Sequence, residues 1–333
     1  MEGMSTVIGG ADVATEICVA SHMNCLPLII VAFLVFLFFL WNISLIFYKE
    51  KKEPKLKSDE SRCFSENCRS IIYENGYDKA VLFIHGFPTT PSMYSYPAEV
   101  FRDEGYDVYA PLIPTFGADY KEFEKTSFSQ WFSFIDDYYI RLKNRYEKVY
   151  VIGVSMGGAM TLKLAEKYSH SPLSPEKIAV LSAPVAYNSL IRDHFVTSWS
   201  FYVGRFIALF IKEIGAECVD GKPEGEDGNE NWTGYGGTFP RQGLSLIYNL
   251  KGIRKDLGRV DVPIISIHDR GDRTVPFGNQ KIILSSIQSK DIEAYSPEMP
   301  NYRHTHHSLL MYDSCRKEYT DLILSFFKKE DKQ

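Results

Sequence analysis

Gly153-Val154-Ser155-Met156-Gly157 is the stretch of this chain with the clearest chemical potential. A serine hydroxyl is a poor nucleophile until a base takes its proton, so it matters only where the backbone exposes it and the chain supplies a partner. The pentapeptide closes the apolar run KVYVIGV and opens the helical pattern AMTLKLAEKY. Strand, sharp turn and helix in that order make an elbow, whose flanking glycines leave room for a strained turn that lifts the Ser155 hydroxyl above a sheet. The following helix aims its positive end at the same point, where the Met156 N–H would meet a developing oxyanion. His85-Gly86-Phe87 leaves another apolar run at its C-terminal end and offers the Phe87 N–H as a second donor.

The base must in turn be held in one tautomer by a carboxylate. After the apolar run PIISIH come Asp269-Arg270-Gly271-Asp272, two acids in a loop at a strand end. Asp269 lies so close to the strand end that a loop-capping role suits it, and Asp272 is the choice for the acid. Residues 301–308 read NYRHTHHS and precede the last helical pattern, so His304, His306 and His307 compete as base. His307 is favoured, then His306, then His304; the two not used are expected to be solvent-exposed loop histidines.

Positioning these groups requires a sheet. Short apolar runs at residues 69–73, 79–85, 106–114, 148–154, 177–183 and 263–268 read as strands. Helical patterns fall between or after them, at 92–104, 128–146, 156–168, 277–286 and 314–328. The alternation predicts an α/β fold, doubly wound on a mostly parallel sheet. Residues 185–250 break it with a long apolar helical run (189–214) and an acidic stretch, ECVDGKPEGEDGNE, and are read as a helical lid with a mobile excursion. Phe195, Trp199, Phe201, Tyr202, Phe206 and Phe210 recur along the helical run, mostly as packing but also suited to an apolar acyl chain.

A net charge of -5 excludes a nucleic-acid binder by charge, and 45% hydrophobic residues over 333 positions exclude a disordered chain. Cys18, Cys25, Cys63, Cys68, Cys218 and Cys315 lack metal-ligand spacing and read mostly as incidental thiols, although Cys63 and Cys68 could close a small loop in an oxidising compartment. No metal or other cofactor is called for. Residues 26–48 contain no ionisable side chain except Tyr48 and are long enough to span a bilayer as a helix. No Lys or Arg precedes them, whereas Lys49, Lys51, Lys52, Lys55 and Lys57 follow, which puts the C-terminal part in the cytoplasm. The expected organisation is an N-terminal tail (1–25), a transmembrane helix (26–48), a charged linker read as a solvated tether (49–66), a core (67–184 and 251–330) and the lid (185–250).

From about residue 79 to 327 the chain resembles the α/β hydrolases, and within them the small bacterial carboxylesterases and monoacylglycerol lipases. VLFIHGF, GYDVYAPLIPTFG, the long stretch SFSQWFSFIDDYYIRLKNRYEKVYVIGVSMGGAMTLKLA and IISIHDRGDRTVP carry the likeness. The resemblance implies Ser155 as nucleophile, Asp272 as acid, His307 as base, the Phe87 and Met156 amides as oxyanion hole, and a lid between the strands around Val180 and Ile265. One departure is Pro114-Thr115-Phe116-Gly117-Ala118-Asp119, where such enzymes usually carry a Gly-His-Gly or similar segment. The expected activity is hydrolysis of lipid-like or apolar carboxylic esters beside the membrane. The alternatives are an aminopeptidase or acyltransferase on the same residues, or a membrane-tethered interaction protein that keeps the fold without turnover.

Overall fold

The computed structural model describes residues 25–45, 47–50, 54–186, 200–300 and 302–329. Its strands are β1 (Ile71–Tyr73), β2 (Lys79–Ile84), β3 (Asp107–Ala110), β4 (Lys148–Val154), β5 (Ile178–Leu181), β6 (Ile214–Asp220), β7 (Thr233–Thr238), β8 (Ile264–Ile267) and β9 (Ile292–Tyr295). Among the described residues these build a seven-stranded sheet in the order β1-β3-β2-β4-β5-β8-β9 and a separate β6-β7 hairpin. Only β1 runs antiparallel to its neighbour in the large sheet.

Alternate side chains of the central strands go to opposite faces, and both faces are buried, as a parallel sheet covered by crossover helices requires. Leu82, Ile84, Val149 and Val151 enter one core with Trp131 and Met160. Val81, Phe83, Ile152 and Val154 enter the other with Ile323 and Phe326.

The helices are α1 (Leu26–Ser44), α2 (Ser95–Asp103), α3 (Tyr120–Phe123), α4 (Phe128–Arg145), α5 (Met156–Tyr168), α6 (Ser200–Phe210), α7 (Pro240–Asp256), α8 (Gly278–Ser286) and α9 (Arg316–Lys328). α4 forms where the sequence gives it both ends. Gln130 reaches back to the Ser127 N–H at 3.1 Å, and Lys143 and Arg145 occupy the last turn, favourable to the helix dipole. Its buried stripe, Phe128, Trp131, Phe132, Ile135, Tyr139 and Leu142, has helical spacing. α5 is buried on nearly every side.

Three parts differ from the sequence reading. The 217–230 stretch is anchored instead of free: it starts inside β6 and leads into β7, and Asp227 in the connecting loop accepts from the Ser314 N–H at 2.7 Å. The described part of the 49–66 segment is docked, with Leu56 and Phe64 packed on the core and the Phe64 N–H donating to the Gly117 carbonyl at 2.8 Å. Glu50 accepts from the side chains of Ser129, Ser245 and Asn249. Charge composition alone hides such docking, because two apolar side chains suffice to hold the segment down. β9 is the third: it is a short edge strand between polar flanks, and pairing with β8 rather than its own pattern defines it.

α1 spans 19 residues and is long and apolar enough to cross a membrane by length and composition. Most of its side chains are exposed. Its C-terminal end is fixed on α6, where Asn42 Oδ1 accepts from the Phe206 N–H at 3.0 Å and the rings of Phe38 and Phe206 lie 5.5 Å apart. Phe195, Trp199 and the side chain of Phe201 fall outside the described residues, as do Cys18, Lys51 and Lys52. Cys25, Cys63, Cys68, Cys218 and Cys315 are free thiols, so Cys63 and Cys68 do not close a loop here.

Inside α5, Glu166 is buried, and its Oε1 has no hydrogen-bond partner among the described residues. Burial, and then the nearby Asp256 carboxylate, push its pKa up to about 9. The folded chain therefore keeps a proton that the unfolded chain releases in the ordinary carboxylate range, so this group's contribution to stability falls as pH rises from there toward about 9. Glu166→Gln should raise the thermal midpoint at pH 8 and leave it nearly unchanged at pH 4, measured by circular dichroism melts at the two pH values. An equal shift at both would show that no buried proton is involved.

Candidate active site

Ser155 sits between β4 and α5 with φ +57° and ψ −124°, a backbone conformation rare for a residue with a side chain. Its neighbours explain why the turn needs glycine. A Cβ on Gly157 would stand 1.7 Å from the Ile84 carbonyl oxygen, and one on Gly153 would stand 2.2 Å from the Gly157 carbonyl oxygen. The turn therefore packs directly under the end of β2. The Ser155 N–H donates to the Leu181 carbonyl at 2.9 Å, tying the turn to the end of β5 as well.

The strand end of β2 leads into His85-Gly86-Phe87, against the serine: a Cβ on Gly86 would lie 3.2 Å from the Ser155 Cβ. His85 is buried, and desolvation, partly offset by the hydrogen bond to Gly86, lowers its pKa to about 4, so it is neutral. Its contacts fit one tautomer, Nδ1–H donating to the Gly86 carbonyl (3.0 Å) while Nε2 accepts from the Ile113 N–H (3.1 Å). Tyr94 adds a strut, accepting from the Val154 N–H (3.0 Å) and donating to the Ile84 carbonyl (2.6 Å). Phe87 and Met156, the residues whose amides were expected as oxyanion donors, therefore flank Ser155. Phe87 rests on an aromatic cluster, its ring centroid 5.6 Å from Phe123 and 5.9 Å from Trp131. The divergent 114–119 loop contributes Phe116 to that cluster, 4.8 Å from Phe123.

Asp272 follows β8, at the same edge of the sheet as Ser155, because β4, β5 and β8 are parallel. Its Oδ1 accepts from the amides of Thr274 (2.7 Å) and Val275 (2.9 Å), and its Oδ2 lies 2.7 Å from His307 Nδ1 and 3.3 Å from His268 Nε2. Burial alone would raise its pKa, but the charge of His307 and hydrogen bonds from His268 and His307 outweigh burial and hold the carboxyl well below the usual range. His307 Nε2 is buried and makes no hydrogen bond among the described residues, so the imidazole is not linked to Ser155 Oγ here. Such contacts are commonly loose without substrate.

Asp269 caps its loop, accepting from the Gly271 and Met299 amides, both at 2.7 Å. His304 and His306 are not solvent-exposed as expected; both are buried. His304 stacks on Tyr312 with centroids 3.7 Å apart and points Nε2 at Asp227 Oδ2, 3.1 Å away. Its Nδ1 accepts from the His306 N–H, so it spaces the loop. His306 has φ +57° and its ring nitrogens make no hydrogen bond among the described residues, the nearest acid oxygen being Asp269 Oδ1 at 3.5 Å. The histidine loop is packed against the acid loop and the hairpin, which a local reading of NYRHTHHS cannot reveal.

Four residues escaped the sequence reading. Tyr312 hydroxyl accepts from the His307 and Ser308 amides at 3.2 and 3.1 Å. Arg273 donates to the carbonyls of Tyr302 (2.8 Å) and His304 (2.5 Å), joining the acid loop to the histidine loop. His268 and Asp227 complete the set. Only His268, at the end of a predicted strand and four residues before Asp272, carried a readable signal.

The sequence model of the family described as serine aminopeptidase, S33 (Hydrolase_4) matches residues 76–310, more than half of the chain, and the protein belongs to this family. The thermostable monoacylglycerol lipase of Bacillus sp. (strain H-257) is 28% identical over 257 residues, which cover 77% of this chain and 92% of that protein. A carboxylesterase of Bacillus subtilis (strain 168) is 33% identical over 90 residues, 27% of this chain and 37% of its own. Among solved structures, one from the metagenome-derived lipolytic enzymes LipS and LipT superposes with a TM-score of 0.66 at 23% identity, covering 80% of this chain and 99% of that one. A soluble variant of the Saccharomyces cerevisiae monoglyceride lipase gives 0.55 at 16% identity, covering 86% and 98%. These likenesses establish an α/β-hydrolase fold that resembles esterases and monoacylglycerol lipases.

The two aspartates separate by experiment. Asp272→Asn leaves His307 without an anionic partner and should lower the turnover number for a chromogenic ester roughly ten-thousand-fold. Asp269→Asn should leave turnover within about tenfold while lowering the thermal midpoint, because it weakens a buried loop cap worth about 1–3 kcal/mol. The reverse order in steady-state kinetics would transfer the role to Asp269.

Proposed function

We propose that this chain is a membrane-anchored serine hydrolase that cleaves carboxylic esters of lipid-like acids through an acyl-enzyme on Ser155. The observation that carries the reading is the 2.7 Å contact of Asp272 with His307, whose outer nitrogen has no partner among the described residues, at the sheet edge that also bears the strained Ser155 turn. In the proposed reaction Ser155 Oγ attacks the ester carbonyl carbon as its proton passes to His307 Nε2. Asp272 holds the imidazole in the required tautomer and stabilises its charge. The tetrahedral oxyanion accepts from the Phe87 and Met156 amides. Collapse breaks the bond to the alcohol, which leaves with the proton from His307. Water then attacks the acyl-enzyme by the same route, releasing the acid and restoring the serine.

The substrate class is supported by the names of the relatives, a monoacylglycerol lipase and a carboxylesterase, and by the apolar run at 189–214 within residues 185–250, read as a lid over a core of 67–184 and 251–330. Phe206 and Phe210 of α6 remain exposed next to α1. Read as a transmembrane anchor, α1 would hold the site where lipid esters partition. The lysines after it argue for a cytoplasmic domain. The family description supplies the second reading, cleavage of an amide from the amino end of a peptide.

Ser155→Ala should abolish covalent labelling by a fluorophosphonate probe and reduce ester turnover by several orders of magnitude, with 4-nitrophenyl esters of graded chain length against amino-acid 4-nitroanilides deciding between ester and amide. Undiminished labelling of the mutant would sink the assignment. For topology, the exposed Asn231 in the sequon Asn231-Trp232-Thr233 should stay unmodified when the full chain is expressed in a eukaryotic host. A glycan at Asn231, seen as an endoglycosidase-sensitive mass shift, would reverse the orientation.

A further inference from the structure

Where α1 meets the folded domain there is a cleft of about 600 Å³ that none of Ser155, Asp272 and His307 lines. Its walls are the end of α1, the segment just after it, α6, the start of α7 and the turn before α4. Five cations line it, Lys49, Lys125, Arg205, Lys212 and Arg241, against two carboxylates, Glu50 and Glu124. The carboxylates are largely committed. Glu50 takes its hydrogen bonds from the neutral side chains of Ser129, Ser245 and Asn249, and Glu124 lies 3.6 Å from Lys212. Among the described residues no carboxylate pairs with Lys49, Lys125 or Arg241. Arg241 donates Nε–H to the Ala208 carbonyl at 3.0 Å, which fixes the plane of its guanidinium. A guanidinium so held presents a preformed fork to an oxyanion. Arg205 donates to the Trp41 carbonyl (3.0 Å) and lies 4.2 Å from the Trp41 ring, so the anchor itself orients a second guanidinium in the wall.

The depth of the cleft is set by its aromatic residues. Trp41 and Tyr48 line it at the end of an apolar helix, the position where such rings mark the headgroup level of a bilayer. Beside it lies a smaller cavity of about 170 Å³, with Leu244 common to both and Leu45, Ile207, Phe239 and Ile247 making it apolar. An anion-binding wall with an apolar recess next to it matches an amphiphile better than a free ion.

We propose that this cleft binds the phosphate headgroup of an anionic phospholipid, with part of an acyl chain in the apolar recess, and so seats the hydrolase domain on the membrane at a fixed orientation. The inference rests on the reading of α1 as a membrane anchor. Its chemistry is a phosphodiester met by Lys49, Lys125 and the guanidinium forks, and basic pockets beside membrane helices hold anionic headgroups in this manner.

The test uses the full-length chain purified in detergent micelles doped with equal amounts of phosphatidylglycerol and phosphatidylcholine, with retained lipid counted by native mass spectrometry. Phosphatidylglycerol should be retained in preference. The triple substitution K49Q/K125Q/R241Q should cut that preference by roughly tenfold or more, since each surface cation contributes about a fivefold factor toward anionic lipid. The conservative K49R/K125R/R241K should keep it, which separates charge from misfolding. Equal retention of the two lipids by the parent, or an undiminished preference in the triple variant, would overturn the proposal. So would complete displacement of the lipid by added inorganic phosphate, which would assign the cleft to the free anion. Alkaline carbonate extraction of membranes from expressing cells tests the anchor separately. Release of the chain overturns the anchor and the proposal with it, whereas a chain that stays embedded but shows no lipid preference overturns the headgroup site alone.

Discussion

The contact on which the structure turns is the approach of Gly157 to the backbone of Ile84. With room there for no more than a hydrogen, the turn after β4 lies directly against the end of β2, and Ser155 is forced to positive φ. Everything that faces Ser155 inherits its place from that approach. The His85-Gly86-Phe87 segment leaves β2 beside the serine, Tyr94 bridges the two strand ends, and the neutral His85 ties the segment to the exit of β3. A side chain on Gly157 would push the turn away from β2 at the edge that carries Ser155.

A second level of organisation lies above the sheet. The β6-β7 hairpin is stitched to the loop after Phe87: the Tyr235 N–H donates to the Pro88 carbonyl at 3.0 Å and Thr89 Oγ1 donates to the Thr233 carbonyl at 2.9 Å. Its connecting loop reaches the histidine segment through Asp227, which meets both His304 and the start of the last helical region. One hairpin therefore braces both sides of the candidate site. The Tyr235 hydroxyl also meets the backbone of the divergent 114–119 loop, so that loop, the hairpin and the aromatic cluster under Phe87 form one packed unit.

The side that carries α1 follows a different logic. α1 is not merely joined to the domain by a flexible segment, because its last turn is packed on α6 and Lys251 donates to the Ser44 carbonyl. The docked 54–70 segment continues that attachment, with the Leu112 N–H donating to Ser70 Oγ at 2.8 Å. A domain held this closely to its apolar helix keeps a constant face toward whatever surrounds that helix. The basic cleft lies on that face, and the Ser155 turn does not line it.

The sequence by itself determined the features that depend on local sterics and on period. The glycines around Ser155, the order of strand, turn and helix, the runs that became β2, β4, β5 and β8, and the capped, amphipathic α4 all follow from residues within one or two turns of each other. So does the apolar length of α1. Tertiary structure decided what rests on partners far apart in the chain. His304 is buried because Asp227, 77 positions away, and the ring of Tyr312 receive it, not because of any pattern in NYRHTHHS. β6 and β7 emerge from an acidic, glycine-rich stretch because each supplies the other's hydrogen bonds, and β9 exists because β8 offers an open edge. His268 and His307 share one carboxylate only once two loops meet. Local preferences are written into neighbours, but burial of a polar group is possible only after folding brings its partner, and that partner can lie anywhere in the chain.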